Sequence, residues 1–141
     1  MIHSRFTEKM ENTQFSELVR WFLWLALITG VGAYFLILQF ITISPDSEAT
    51  ADLKNPFYVA GLSAAIASLA VKHFIRARSN KEGKLVSFAQ GSFIVSLSLA
   101  EVAAILGLVF GFLGGAISDY VPLFAVSLVN FLMINPRSFF V

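Results

Sequence analysis

The 141-residue chain reads as an all-α, polytopic membrane protein whose four transmembrane helices form two antiparallel hairpins. Three observations lead there. First, 57% of its residues are hydrophobic and only 13% charged, with a mean hydropathy of +0.76; a soluble domain of this size needs far more polar surface. Second, it holds four apolar runs near the roughly 20 residues that a helix needs to cross about 30 Å of hydrocarbon. Third, its basic residues are segregated between the two sets of connections that those runs define.

The spans follow in order. The first covers about residues 21–43, from Trp21 into Ile43. The second, about 57–75, starts at Phe57 after a longer connection, residues 44–56. The third lies within Leu85–Ile117, about 88–115, and is longer than a bilayer requires, so its inner end is expected to project as helix. The fourth, about 120–135, is short and stops at Asn135-Pro136, because proline disfavours helix in the residue before it. None of these runs alternates as barrel strands do. In lipid, backbone amides must then be paired inside helices.

Orientation comes from lysine and arginine. Arg5, Lys9 and Arg20 precede the first span; Lys72, Arg76, Arg78, Lys81 and Lys84 surround the second connection; Arg137 follows the last span. Only Lys54 falls on the opposite side, beside Asp46, Glu48 and Asp52. Nine of the ten basic residues therefore share one face when both termini are cytoplasmic, the distribution of the positive-inside rule. The expected setting is a multi-pass protein of a bacterial inner membrane. The five residues Lys72–Lys84 serve as topology determinants and as contacts for anionic lipid headgroups. Residues 1–19 form a cytoplasmic segment able to lie at the interface through Phe6, Met10, Phe15 and Leu18, ahead of one transmembrane domain, residues 20–141. The first span is read as retained, being longer than a signal core and following Glu8, Glu11 and Glu17. Tyr58 and Tyr120 suit the outer interfacial belt and Trp21 the inner one.

Composition also narrows function. There is no cysteine, and His3 and His73 stand far apart, so neither thiol chemistry nor a metal centre is expected. A net charge of +1 gives no reason to expect nucleic acid. Apart from Glu101 the spans show no second mid-membrane acid, no histidine pair and no nucleophile with a base at useful spacing, so no catalytic constellation, enzyme activity or cofactor is expected. The expected partners are membrane lipids together with further copies of the chain or a larger membrane complex.

Small residues point to helix contacts. Ala60, Ala64 and Ser68 form one ridge in the second span, with Gly61 and Ala65 beside it. Ala103, Gly107, Gly111 and Gly115 recur at every fourth position of the third. Such spacing lets helix backbones approach closely in lipid. Ordinary packing within one bundle and assembly of several copies both follow from it.

Glu101 is the one charged residue between Lys84 and Asp119. At 100° per residue it shares a face with Leu97, Ser98, Ala104 and Ile105, beside the small-residue ridge rather than on it. A carboxylate at the bilayer centre costs about 2.5–3.5 kcal/mol on insertion scales. No basic residue shares its depth, so the resting group is expected to be the neutral acid. Ser98, one turn earlier, is a candidate partner at an ion-binding site, and Asn130 is another. Two roles stay open. The acid binds and releases a proton, or it is a protonated hydrogen-bonding group that joins helices in a scaffold.

The stretch FYVAGLSAAIASLAVKHFIRARSNKEGK, followed by SLSLAEVAAILGLVFGFL, resembles the proteolipid, subunit c, of rotary ATP synthases over residues 57–113. The local match is Glu101, then Ile105, Gly107, Leu108 and Val109, the family's pattern of acid, three residues, Ile, one residue and Gly-Leu-Val. The resemblance implies that Glu101 is an ion-carrying carboxylate and that Arg76 and Arg78 lie in a loop facing a coupling partner. With Val102 in place of a hydroxyl neighbour, it implies a proton rather than sodium. The loop here reads RARSNKEGK instead of the family's Arg-Gln-Pro, and additional spans flank the hairpin.

Overall fold

A computed structural model describes the backbone of residues 2–41, 47–82 and 86–137, and the side chains of residues 17–41, 48, 50–75 and 91–137. Four helices account for nearly all of it: α1 (Ile2–Phe40), α2 (Ser47–Glu82), α3 (Val86–Phe112) and α4 (Ile117–Met133). Three contain segments long and apolar enough to cross a membrane, Glu17–Phe40, Thr50–Ile75 and Gly91–Phe112. α4 is apolar but has 17 residues, about 25 Å of helix.

Several boundaries differ from expectation, and α1 ends at Phe40 rather than near Ile43. The segment 44–56 is expected as a connection, yet α2 begins at Ser47 and runs through Pro56. Local proline chemistry is outweighed here by tertiary contacts on both sides of Pro56. Thr50 is buried, Lys54 Nζ bonds Asp119 Oδ1 at 2.7 Å, and Tyr58 Oη donates to the Asp119 carbonyl. The third span is expected to about residue 115, but α3 ends at Phe112. Gly114, with φ of 91°, turns the chain. Its N–H bonds the Gly111 carbonyl at 3.1 Å, and the Gly115 N–H bonds that of Phe110 at 3.0 Å, the paired bonds of a Schellman cap. Elsewhere, α1 is continuous from Ile2, so residues before Trp21 prolong the first span as helix. Of the residues expected at an interface, Leu18 is exposed, while the side chains of Phe6, Met10 and Phe15 lie outside the described residues.

Contacts along the chain fix the directions. Trp24 near the start of the first apolar segment donates through Nε1 to the Phe131 carbonyl late in α4, at 2.8 Å. At the other end, Gln39 Nε2 donates to Tyr120 Oη. α1 and α4 are therefore antiparallel, and α3 reverses into α4 through the cap. Lys54 and Tyr58 meet Asp119, so α2 and α4 begin at the same end. α3 is the central helix and packs on all three others, while α1 docks on α3 and α4 and, among the described residues, scarcely on α2.

The bundle is held by small residues and by hydroxyls that reach neighbouring carbonyls. Ser68 Oγ donates to the Ser96 carbonyl at 2.9 Å and Ser96 Oγ to the Ser68 carbonyl at 2.7 Å, both fully buried between α2 and α3. Ser127 Oγ ties α4 to the Ala100 carbonyl at 2.7 Å, and Asn130 Nδ2 reaches the Ala65 carbonyl at 3.2 Å. Between them sit Phe93, Leu97, Phe110 and Phe131, each at most 1% exposed. Outside, Phe22, Phe40, Val59, Ile66 and Leu132 are exposed. In water such a belt would be an aggregation surface; in lipid it faces a matching solvent.

Candidate functional site

Glu101 lies ten residues after Gly91 and eleven before Phe112 in the apolar part of α3, about 15 Å from either end. Its surroundings divide. Leu97 and Ala104 are buried on one flank, whereas Ser98 and Ile105 are exposed on the other. The carboxyl is thus half-buried, at the rim of the crevice where α1 meets α3. Tyr34 Oη donates to its Oε1 at 2.9 Å. Gly30, one turn before Tyr34, lies beside this pair: a Cβ there would stand 3.9 Å from Oε1 and 4.0 Å from the tyrosine oxygen, in ordinary van der Waals contact. Lys and Arg are absent from the sequence between Arg20 and Lys54 and between Lys84 and Arg137. What the site offers is a carboxyl at mid-depth, one hydroxyl donor and an outward-facing side.

Ser98 is exposed, and among the described residues no hydrogen bond joins it to Glu101. Asn130 is spent on Ala65 in the α2–α4 contact. Tyr34 was not singled out by the sequence reading. Its position, one turn past a glycine within an apolar span, was the available signal, but partnership between helices distant in sequence leaves no local mark.

The α3 ridge is occupied from within the chain. Ala103 is buried and faces Gly61; a Cβ on Gly61 would sit 3.8 Å from Ala103 and 2.7 Å from Leu123 Cδ2. At Gly107 a Cβ would meet Phe124 Cε2 at 3.0 Å, and at Gly111 it would meet Leu38 Cδ1 at 2.7 Å. The ridge therefore receives α2, α4 and α1 in turn. Gly115 lies past the helix, in the cap, where a Cβ would stand 2.8 Å from the Phe110 carbonyl oxygen. In the second span, Gly61, Ala65 and Ser68 point inward, while Ala60 is exposed and Ala64 half-buried.

Of the basic cluster, Lys72 is described and donates from Nζ to the Met133 carbonyl, joining α2 to the end of α4. Arg76, Arg78 and Lys81 fall on the last turns of α2 with side chains outside the described residues, and Lys84 lies outside them altogether. Among the described residues, no group of three or more His, Asp or Glu could hold a metal ion.

The helices and their apolar surface are compatible with a multi-pass membrane protein. No protein-family model matches the chain, and no curated protein or solved structure is significantly similar to it.

Proposed function

We propose that this chain is a small subunit of the membrane, working with other copies or a larger complex, in which Glu101 binds and releases a proton. The observation that carries the reading is the mid-depth, half-buried carboxyl that has one hydroxyl donor, Tyr34, and one side turned outward beside Ser98 and Ile105. An intramembrane acid of this kind is expensive to maintain. A carboxyl serving only as glue would be better placed with both oxygens bonded inside the bundle. The tyrosine hydroxyl holds one oxygen in both protonation states and leaves the other for exchange with a partner surface. The likeness of residues 57–113 to the ATP synthase proteolipid favours the same role. In this reading all four helices cross the bilayer, with both termini cytoplasmic.

The test is labelling by a hydrophobic carbodiimide, which reacts with a protonated carboxyl reached through lipid. Labelling at Glu101 should be fast, fall as pH rises, and disappear in Glu101→Gln. Growth or transport supported by the gene should be lost in Glu101→Gln and retained in Glu101→Asp. An unlabelled Glu101, or a fully functional Glu101→Gln, would overturn the proposal.

The second reading is a scaffold in which Glu101 joins α1 to α3. It is favoured by the way Leu38, Leu123 and Phe124 fill the glycine ridge, so that this ridge gives no separate reason for assembly of copies. Native mass spectrometry from a mild detergent distinguishes a subunit of an assembly from a solitary bundle.

A further inference from the structure

Around Ile75 of α2 and Gly91 of α3, residues of the two helices line an apolar recess of about 820 Å³. Its walls include Ala70, Phe74 and Ile75 of α2 and Gly91 and Val95 of α3, with the Ser92 side of α3 adding the polar part of the lining. The volume is within the roughly 300–1,000 Å³ of small-molecule sites. The recess opens sideways, since Phe74 is 65% and Val95 51% exposed. There is open space at Gly91, where an added Cβ would meet nothing within 4 Å.

What lies next to the recess indicates its occupant. Ile75 closes the apolar segment of α2. Arg76 and Arg78 stand one and three residues beyond it on the same continuous helix, about 1.5 and 4.5 Å further along the axis. An apolar slot inside the hydrocarbon region, ending under a concentration of positive charge, complements a molecule with a hydrocarbon tail and an anionic head. It does not complement a second apolar helix, for which the charges would be a burden.

We propose that this recess is a binding site for an anionic phospholipid, with an acyl chain between α2 and α3 and the phosphate at the level of residues 76 and 78. The site is separate from Glu101, and its occupancy does not depend on the proton-binding reading. It is more than the general attraction of basic residues to an anionic surface, because it requires a chain-sized cavity at one place on the bundle.

The experiment is native mass spectrometry of the full chain, delipidated in mild detergent and then offered phosphatidylglycerol or phosphatidylcholine with identical acyl chains. The wild-type protein should retain one phosphatidylglycerol in preference to phosphatidylcholine. Arg76→Gln with Arg78→Gln should lower that preference roughly 30-fold, the weight of two basic side chains at an anionic surface. Gly91→Trp, which fills the slot, should lose retention of both lipids; Gly91→Leu serves the same purpose with a smaller group, and circular dichroism with size-exclusion chromatography checks that each variant is folded. Equal retention of the two lipids by the wild-type chain would overturn the proposal. So would unchanged retention in folded Gly91→Trp and Gly91→Leu, or a dimer that only these two variants abolish.

Discussion

Replacing Tyr34 by phenylalanine removes one oxygen and nothing else, and the structure gives the size of the effect. The hydroxyl donates to Glu101 Oε1 at 2.9 Å in a partly buried setting between α1 and α3. Hydrogen bonds between membrane helices average about 0.6 kcal/mol and reach about 1.7. A well-made bond at mid-depth belongs in the upper part of that range, so the expected loss is about 1 kcal/mol, or fivefold in the unfolding equilibrium. The Glu101→Gln background makes the measurement informative. Glutamine keeps an acceptor oxygen in the same place, so if the resting acid is neutral, Tyr34→Phe costs the same in both backgrounds and Glu101→Gln alone is nearly silent. An ionised carboxylate behaves differently. Its bond is charge-assisted and about twice as strong, and Glu101→Gln then relieves the burial of a charge, about 2.5–3.5 kcal/mol. Reversible unfolding in bicelles, followed by tryptophan fluorescence, yields the four stabilities. A Tyr34→Phe protein as stable as wild type would remove the hydrogen bond, and strong coupling between the two substitutions would refute the neutral acid.

Other outcomes follow from the same geometry. Gly115→Ala drives a methyl to 2.8 Å from the Phe110 carbonyl oxygen, backbone that cannot step aside, and should cost at least the roughly 1–3 kcal/mol of overpacking, read as a fall in melting temperature. Gly32→Ala, where a Cβ meets nothing within 4 Å, should be neutral or stabilising in the same assay. Ser68→Ala and Ser96→Ala each remove one bond to a main-chain carbonyl, at about 0.6–1.7 kcal/mol apiece; because the two hydroxyls also stand 3.5 Å apart, the double substitution should depart from the sum of the single ones. Asp119→Asn breaks an ion pair whose side chains are 45% and 25% exposed, and should cost under about 1 kcal/mol, with a difference from wild type that shrinks in high salt.

The helices were legible because a bilayer leaves few alternatives: long apolar runs must fold as helix, and Asn135-Pro136 does end α4 near Ile134. Glu101 was equally legible, since one acid among dozens of uncharged residues stands out. The glycine ridge showed where helices would approach, but not that Leu38, Leu123 and Phe124 would be what approached. The connection expected over residues 44–56 is helix from Ser47 for a related reason: Lys54 and Tyr58 are held by Asp119, more than sixty residues away. Tyr34, Ser68 and Ser96 share this limit. A tyrosine or serine in an apolar span carries no sign of the carboxyl or carbonyl it will meet on another helix.

The central place of α3 has a consequence for biogenesis. Trp24 closes its bond with Phe131 across 107 residues of chain, and at about 5–20 residues per second the ribosome takes about 5–20 s to supply that distance. Until α3 is made, α1 lacks the larger part of the surface it docks against, and α2, its immediate successor, offers it little shelter. α3 supplies the first part of that surface, at Tyr34 and Leu38, and α4 completes it, so a product truncated after α2 would leave its two helices without the one that joins them.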